Sequence, residues 1–247
     1  MEKFIFDIFK GLQYPNSGLS TSMLRAANQI SEIPTQPEIL EIGCGCGLPS
    51  INLAQYFGGH ICSVNSQKEY IQELQIEAIR RGYIDIIDYI NTDVFHLNFE
   101  EHKFNVIWSE GAISQLGLKR GISEWKKYLC NYGYIAINNI SWLKNSQPAK
   151  LLEFWEREDP KMNSVDNNLQ IIESNGYKLI DFFVISPETW WDEYYSPLDD
   201  RIKNIRYQYI ENEIAQEVFD YIQLEIDMYK NYSEYYGSVF YIMQIPR

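Results

Sequence analysis

Short apolar runs alternate with amphipathic segments between residues 38 and 142. The apolar runs predict five β-strands, and the segments between them predict helices with an apolar stripe on one side. The predicted strands cover residues 38–42, 60–64, 86–93, 104–110 and 134–140. The predicted helices cover residues 49–57, 67–81 and 122–130. This alternation is typical of β-α-β units, so we expect an α/β domain built on a doubly wound parallel sheet.

Helical patterns precede this core. Residues 2–12 and 19–30 are both amphipathic, and the turn residues Y-P-N-S-G separate them. They predict a helical cap over residues 1–33 in front of a core at residues 34–145.

A different pattern follows Pro148 and forms a C-terminal half at residues 146–247. It predicts helices at 149–158 and 163–176, and strands at 178–185 and 237–245. Between those two strands, residues at about 187–234 have helical spacing and predict an insertion. Its apolar positions are Ile214, Val218, Ile222 and Ile226. We expect a single domain over residues 1–247.

The composition narrows the range of partners. The chain has 34 acidic and 21 basic residues, a net charge of −13, and its basic residues form no run longer than a pair. Nucleic acids and anionic membranes are therefore disfavoured as partners. No segment reaches the roughly 20 apolar residues that span a bilayer, and the start M-E-K-F-I-F-D-I-F-K is typical of an amphipathic helix rather than a secretory signal. We expect a cytoplasmic protein.

The cysteines and histidines do not predict a metal site. The four cysteines contain no C-x-x-C pair, and the three histidines have no zinc-ligand spacing with them. Cys44 and Cys46 are interpreted as small side chains packed in a tight loop.

The most informative stretch is I-L-E-I-G-C-G-C-G at residues 39–47. Glycines after a first strand allow a sharp turn into a helix and a close approach of the backbone to a ligand. A dinucleotide fingerprint needs G-x-G-x-x-G, but here the third glycine comes one residue early. A Walker phosphate loop needs a lysine after the last glycine, and Leu48 stands there instead.

The pattern E-x-G-x-G-x-G, present as E-I-G-C-G-C-G, resembles motif I of the class I S-adenosylmethionine-dependent methyltransferases. The order of the other elements also resembles that family. A narrower resemblance, to a bacterial group of methyltransferases with no assigned substrate, lies in F-N-V-I-W-S-E-G-A-I-S-Q-L-G, G-I-S-E-W-K-K-Y-L and Y-Y-G-S-V-F-Y. The resemblance implies a Rossmann-like sheet of seven strands with an antiparallel last strand, and S-adenosylmethionine as cofactor with S-adenosylhomocysteine as product.

The resemblance also implies a cofactor site. It comprises Glu41, Gly43, Cys44, Gly45, Gly47, Asn65, Ser66, Asp93, Val94 and Ser109. Glu41 is expected to orient the methionine amine, Asp93 to accept from the adenine amino group, and Ser109 to lie beside the transferable methyl group. At residue 65 this chain has an amide where the family usually has an acid that holds both ribose hydroxyls. Losing the charge assistance weakens such a contact by about 1 kcal/mol.

Glu110 and Tyr14 are the candidate catalytic residues. Glu110 follows the fourth strand, where doubly wound folds bind ligands, and is a candidate general base or holder of a substrate amine. The alternative is that it caps the following turn or contacts only the cofactor. Tyr14 is a candidate lid residue in the Y-P-N-S-G loop, or an ordinary surface tyrosine.

Aromatic side chains are the candidates for substrate contact. They are Trp142, Trp190, Trp191 and Tyr195, in the company of Tyr194 and nearby acids. Aromatic faces beside acids suit a cationic or flat substrate, but such clusters more often fix an inserted helix to its domain.

The leading hypothesis is methyl transfer from S-adenosylmethionine to a small molecule. Two alternatives stay open: aminopropyl transfer to a polyamine on the same fold, and a non-catalytic module that binds S-adenosylmethionine.

Overall fold

The computed structural model describes residues 3–10, 12 and 20–246. Seven strands form one sheet in the order β3-β2-β1-β4-β5-β7-β6. The strands are β1 Glu38–Ile42, β2 His60–Asn65, β3 Ile87–Asn91, β4 Phe104–Glu110, β5 Leu129–Trp142, β6 Lys178–Val184 and β7 Tyr236–Gln244. The first five pair in parallel, whereas β7 is antiparallel to both β5 and β6. The predicted Rossmann-like sheet with an antiparallel last strand is confirmed.

Helices surround the sheet. They are α1 Lys3–Phe9, α2 Thr21–Ala27, α3 Leu48–Phe57, α4 Lys68–Arg81, α5 Leu118–Trp125, α6 Ala149–Glu158, α7 Val165–Ser174, α8 Pro187–Trp190, α9 Ser196–Ile205 and α10 Glu213–Tyr232. A π-helical turn at Trp191–Tyr195 joins α8 to α9. The insertion between β6 and β7 therefore contains α8, the π turn, α9, a 3-10 turn at Arg206–Tyr209 and α10.

Two hydrophobic cores lie on opposite faces of the sheet. Successive side chains of a strand point to opposite faces, so Ile39 of β1 packs in the first core and Leu40 in the second. The first core includes buried residues of α3, α4 and the insertion, and the second includes residues of α5 and α7. The strands are therefore covered on both sides, which explains why they read as nearly continuous apolar runs.

The N-terminal cap is bonded to the insertion. Both Nε and Nη2 of Arg201 on α9 donate to the backbone carbonyl of Asp7, at 3.0 and 2.8 Å. The hydroxyl of Tyr209 donates to the Asp7 carboxylate. On α2, the Thr21 hydroxyl donates to Glu193 in the π turn at 3.4 Å. Cap and insertion thus form one continuous cover over the sheet.

The predicted helix at 122–130 has the wrong bounds. The helix begins at Leu118 and includes Gly121. Glycine is required at that position because a Cβ there would come within 2.8 Å of the Ile113 side chain. Strand β5 already begins at Leu129, so the predicted turn at N-Y-G is a bulge within the strand, where Tyr132 has φ 64°.

Two other predictions of detail are also wrong. Ile214 in the first turn of α10 is exposed, and the inward positions there are Ala215 and Phe219. Helix α1 ends at Phe9 and α2 at Ala27, before the predicted ends at residues 12 and 30, and residues 2, 11 and 19 of these predictions lie outside the described residues.

Candidate functional site

The loop after β1 turns on three glycines in the left-handed region. Gly43, Gly45 and Gly47 have φ values of 85°, 51° and 92°. A Cβ on Gly43 would lie 2.4 Å from the Cβ of Ala112, and one on Gly47 would lie 2.5 Å from the Cβ of Leu74. Gly43 and Gly47 are thus required by backbone conformation and by close packing.

Two cavities adjoin this loop. The larger one has a volume of about 390 Å³, and Gly45, Cys46, Glu110 and Gly111 contribute to its wall. The smaller one is lined by Gly43, Val64, Asn65, Ser66, Thr92, Asp93, Val94, Ala112 and Gln115. The glycine loop and the end of β4 therefore separate two compartments at the carboxyl ends of the parallel strands, where open α/β sheets bind ligands.

The larger cavity lies between the sheet and its cover. Its floor includes Asn138 on β5 and Ser238 on β7, whose side chains are hydrogen-bonded at 2.7 Å. Its cover consists of cap and insertion residues and of Ile185, which directly follows β6. These are Phe9, Leu12, Ser22, Ile185, Trp190, Glu193, Tyr194 and Glu225.

Three glutamates line this cavity, and burial raises the pKa of each. Glu110 accepts from the indole Nε1 of Trp108 at 2.9 Å, and the nearby charge of Glu193 raises its pKa further. Glu225 accepts from the hydroxyl of Tyr195 at 3.2 Å, and its pKa is raised to about 7. No lysine, arginine or histidine stands among the described residues of the cavity wall.

The smaller cavity has a polar rim at the ends of β2 and β3. The Asp93 carboxylate accepts from the backbone N–H of Phe95 at 2.8 Å and lies 2.8 Å from Nδ1 of His96, which lowers its pKa. The Asn65 side-chain oxygen accepts from the backbone N–H of Gln67 at 2.9 Å. The Asn65 oxygen is therefore already used within the protein, and its amide nitrogen remains for a ligand.

Four predicted cofactor residues line neither cavity. Cys44, Gly47 and Ser109 support the loop instead: Cys44 is fully buried, Gly47 packs on α4, and the buried Ser109 hydroxyl donates to the Ile42 carbonyl at 3.0 Å. The fourth residue is Glu41.

Glu41 is only 2% exposed and lies in a buried polar group. The Ser50 hydroxyl donates to its Oε2, and the Ser63 hydroxyl lies 3.0 Å from the same oxygen. Burial raises the pKa of Glu41 to about 8. The expectation that Glu41 orients the methionine amine is not supported by this enclosed position.

The predicted aromatic residues fall into two groups. Trp190 lines the larger cavity, together with the neighbouring Tyr194. Tyr195 is completely buried, and its ring stacks on Tyr229 of α10 at 4.4 Å. The ring of Trp191 stacks on Tyr195 in turn, 6.3 Å away between centroids. These two rings fix the insertion, because side chains of this size contribute mainly through packing.

The remaining two candidates are Trp142 and Tyr14. Trp142 lies outside the cavity wall and packs edge-on against Tyr236, with 6.4 Å between ring centroids. Tyr14 lies outside the described residues.

Sequence reasoning missed Glu193 and Glu225. A signal for Glu225 was present: it follows Ile222 by three residues and precedes Tyr229 by four, so it stands on the buried side of α10. A glutamate at such a position needs a polar partner or a cavity. For Glu193 the only signal was its place among the acids beside the aromatic cluster, because the π-helical turn interrupts the helical spacing that would show which side it faces.

Among the described residues, no group of histidine, cysteine, aspartate and glutamate side chains could hold a metal ion. No helix in that part of the chain has the length and apolar character needed to cross a membrane.

Comparison with known proteins agrees with this geometry. The family model described as a methyltransferase domain matches residues 39–133, which include the glycine loop. The sterol 24-C-methyltransferase of Pneumocystis carinii is 25% identical over 137 residues, which cover 55% of this chain and 34% of that protein. The chain thus matches about a third of the length of this curated relative.

Two solved structures share the fold over nearly the whole chain. One is a SAM-dependent methyltransferase from Geobacter sulfurreducens in complex with S-adenosyl-L-homocysteine, with a TM-score of 0.81, 17% identity and coverage of 100% of this chain and 99% of that one. The other is a SAM-dependent methyltransferase from Thiobacillus denitrificans with the same ligand, a TM-score of 0.81, 16% identity and 97% coverage of both chains. The chain therefore shares the fold of these two methyltransferases.

Proposed function

We propose that this chain, which belongs to the class I S-adenosylmethionine-dependent methyltransferases, transfers a methyl group to a small molecule held in the larger cavity. The observation that carries the proposal is the pair of compartments on either side of the glycine loop. One has the polar rim of Asn65 and Asp93, and the other is the larger cavity between the sheet and its cover, with Glu110 in its wall.

The residues of both compartments fit S-adenosylmethionine. A Cβ on Gly111 would meet no atom within 4 Å, so the end of β4 leaves open space beside the loop. Asp93 and Val94 would hold the adenine, and the Asn65 amide would donate to a ribose hydroxyl. When bound, the cofactor supplies a methyl group activated by a sulfonium sulfur. Both similar solved structures contain its product, S-adenosyl-L-homocysteine.

The chain's own contribution is positioning and exclusion of water. Cap and insertion close over the cavity, which favours an in-line approach of the acceptor and strengthens electrostatic contacts inside. Glu110, held by the Trp108 indole, is a candidate for receiving a proton or holding an amine, because burial raises the pKa of its carboxyl toward the working range of a general base.

The proposal is tested by calorimetric titration of the full chain with S-adenosylmethionine, S-adenosylhomocysteine and NAD. We expect the first two to bind and NAD not to bind. Asp93→Ala is expected to weaken binding at least tenfold, because it removes the carboxylate and the bonds that shape the rim. The exposed Glu101 lines neither cavity, so Glu101→Ala serves as a control for the loss of an acidic charge away from the site. Absence of binding by both sulfur nucleosides would refute the proposal.

Aminopropyl transfer to a polyamine is the second candidate, since the three cavity glutamates supply the acidic cluster that this reaction favours. The two reactions leave different nucleosides. Methyl transfer releases S-adenosylhomocysteine, whereas aminopropyl transfer from decarboxylated S-adenosylmethionine releases methylthioadenosine. Chromatography of the nucleoside product distinguishes the two candidates.

A further inference from the structure

We infer that the acceptor of the proposed reaction is an organic amine that binds as its ammonium ion, between Glu193 and Glu225 of the insertion and the aromatic side chains of Trp190 and Tyr194. The inference rests on the proposed function and names the class of substrate for the same cavity.

The first argument is the charge of the wall. Glu110, Glu193 and Glu225 all line the cavity, and none of them forms an ion pair with another described residue. Their side-chain partners are neutral donors on Trp108, Thr21 and Tyr195, respectively. Glu193 also accepts a hydrogen bond from the backbone of Thr21. A carboxylate whose donors are all neutral remains undercompensated when it is removed from water.

A buried acid outside the cavity, by contrast, forms ion pairs with lysines. Asp199 on α9 is 7% exposed and lies within 2.9 Å of Lys203 and 3.4 Å of Lys230. The same insertion therefore supplies two cations to an acid that has only a structural role. The contrast indicates that the missing cation at Glu193 and Glu225 belongs to a ligand.

The second argument is the combination of acids and aromatic faces. Trp190 and Tyr194 line the cavity beside the two glutamates, and Trp190 is held by Tyr229 at 4.7 Å between ring centroids. Ammonium ions bind favourably where a carboxylate and an aromatic face are both within reach. Tyr195 donates to one oxygen of Glu225, which orients the carboxylate before a ligand arrives.

The same wall disfavours other acceptors. A phosphate or carboxylate group would add negative charge to a cavity that already holds three acids. A neutral alcohol would leave the two insertion glutamates without a counter-charge. For amine methylation, the bound ammonium ion must first give one proton to a cavity carboxylate, which frees the nitrogen lone pair. The C–N bond then forms as the C–S bond of the donor breaks, the electrons of that bond stay on sulfur in S-adenosylhomocysteine, and the proton passes from the carboxylate to solvent.

The experiment is calorimetric titration of the full chain with matched pairs of probes. The pairs are 2-phenylethylamine with 2-phenylethanol, tryptamine with tryptophol, and 1,4-diaminobutane with 1,4-butanediol. S-adenosylhomocysteine is titrated first, and the probes are then run with and without it. We expect at least one amine to bind ten times or more tightly than its alcohol.

Three variants distinguish the effect of a carboxylate in the cavity wall from the effect of the protein's overall negative charge. Glu193→Gln and Glu225→Gln are each expected to weaken amine binding about tenfold while alcohol binding changes less than twofold. Glu217→Gln removes the same charge from an exposed position on α10, and its amine affinity should equal that of the wild type.

The outcomes are distinct. Failure of S-adenosylhomocysteine to bind refutes the proposed function, and the amine preference is still measured without it. If S-adenosylhomocysteine binds but no amine exceeds its alcohol, the inferred substrate class is wrong. An amine preference that survives both cavity substitutions would also overturn the inference, because the charge would then act from elsewhere.

Discussion

Gly47 and Gly58 lie at the two ends of α3. Alanine substitutions at these two residues measure how much close packing against the glycine loop at residues 43–47 contributes to stability. Both residues are in the left-handed region, with φ values of 92° and 66°. A Cβ on Gly47 would lie 2.5 Å from the Cβ and 2.7 Å from the Cα of Leu74, whereas a Cβ on Gly58 would meet nothing within 4 Å. Alanine at Gly58 therefore has only the conformational cost, and alanine at Gly47 has a steric cost as well.

The magnitudes follow from these two terms. A left-handed conformation costs an alanine about 1 to 2 kcal/mol, so Gly58→Ala should lower the free energy of unfolding by about that amount. Overpacking a buried site adds about 1 to 3 kcal/mol, so Gly47→Ala should lower it by about 2 to 5 kcal/mol in total. Because the Leu74 contact includes backbone, α3 and α4 must move apart to relieve it.

Urea unfolding followed by circular dichroism measures both variants against the wild type, with the dependence on urea concentration compared as a check on two-state behaviour. Gly58→Ala is the matched control, since it changes the same residue type in the same backbone region at the other end of the same helix. Equal destabilisation of the two variants, within about 0.5 kcal/mol, would show that Leu74 does not impose the glycine.

Three further predictions concern ionisable and polar groups. Glu41 has a pKa of about 8 in the folded state and of 4.5 when unfolded. Its contribution to the free energy of unfolding is therefore fully present below pH 4.5 and is lost as pH rises toward 8. Glu41→Gln should therefore be more stable than the wild type at pH 8.5, on the order of 3 to 5 kcal/mol in urea unfolding, with no gain at pH 4. Asn65→Asp keeps one oxygen for the Gln67 N–H and offers a second, charged oxygen to the ribose, so S-adenosylhomocysteine should bind about fivefold more tightly by calorimetry; unchanged affinity would contradict the ribose assignment. Amine affinity should rise between pH 6 and 8, as Glu225 ionises around its pKa of about 7, and Glu225→Gln should remove the part of the rise that is centred near pH 7. The titratable groups that face Glu225 are Tyr194, Tyr195, Tyr221, Tyr236 and Glu158, and Glu110 and Glu193, whose pKa values burial also raises, line the same cavity. Burial raises the pKa of all four tyrosines, so they stay neutral over this range.

The sequence predicted those parts of the molecule that depend on local periodicity. The strands β1 to β5 and the turn at Gly43 follow from apolar runs and a glycine pattern that few other conformations accept. The start of α5 was not predicted, because a glycine in a helical pattern usually indicates the end of a helix. Gly121 lies within the helix, where the Ile113 side chain leaves no room for a Cβ.

The candidate site was only partly predictable, because its cover comes from distant parts of the chain. Asn65, Asp93 and Glu110 lie at strand ends, whose common location follows from parallel topology. The π turn decides which aromatic side chains between residues 190 and 195 face the cavity. Helical periodicity could not predict this, because the spacing in a π turn departs from 3.6 residues per turn. Trp190 therefore lines the cavity while Tyr195 is buried.

The division of the site between core and cover has a consequence for specificity. The smaller cavity is lined only by residues of the sheet half of the chain, between residues 43 and 115. Glu193, Glu225 and Trp190 come from the insertion and contribute nothing to that cavity. Because the two groups of residues share no member and are joined mainly through the glycine loop and the end of β4, substitutions in the insertion should change affinity for the acceptor while leaving that for the nucleoside nearly constant. Under the proposed function, the acceptor would be selected by the part of the chain with the least regular sequence pattern, on a core whose β-α-β geometry forms the proposed cofactor site.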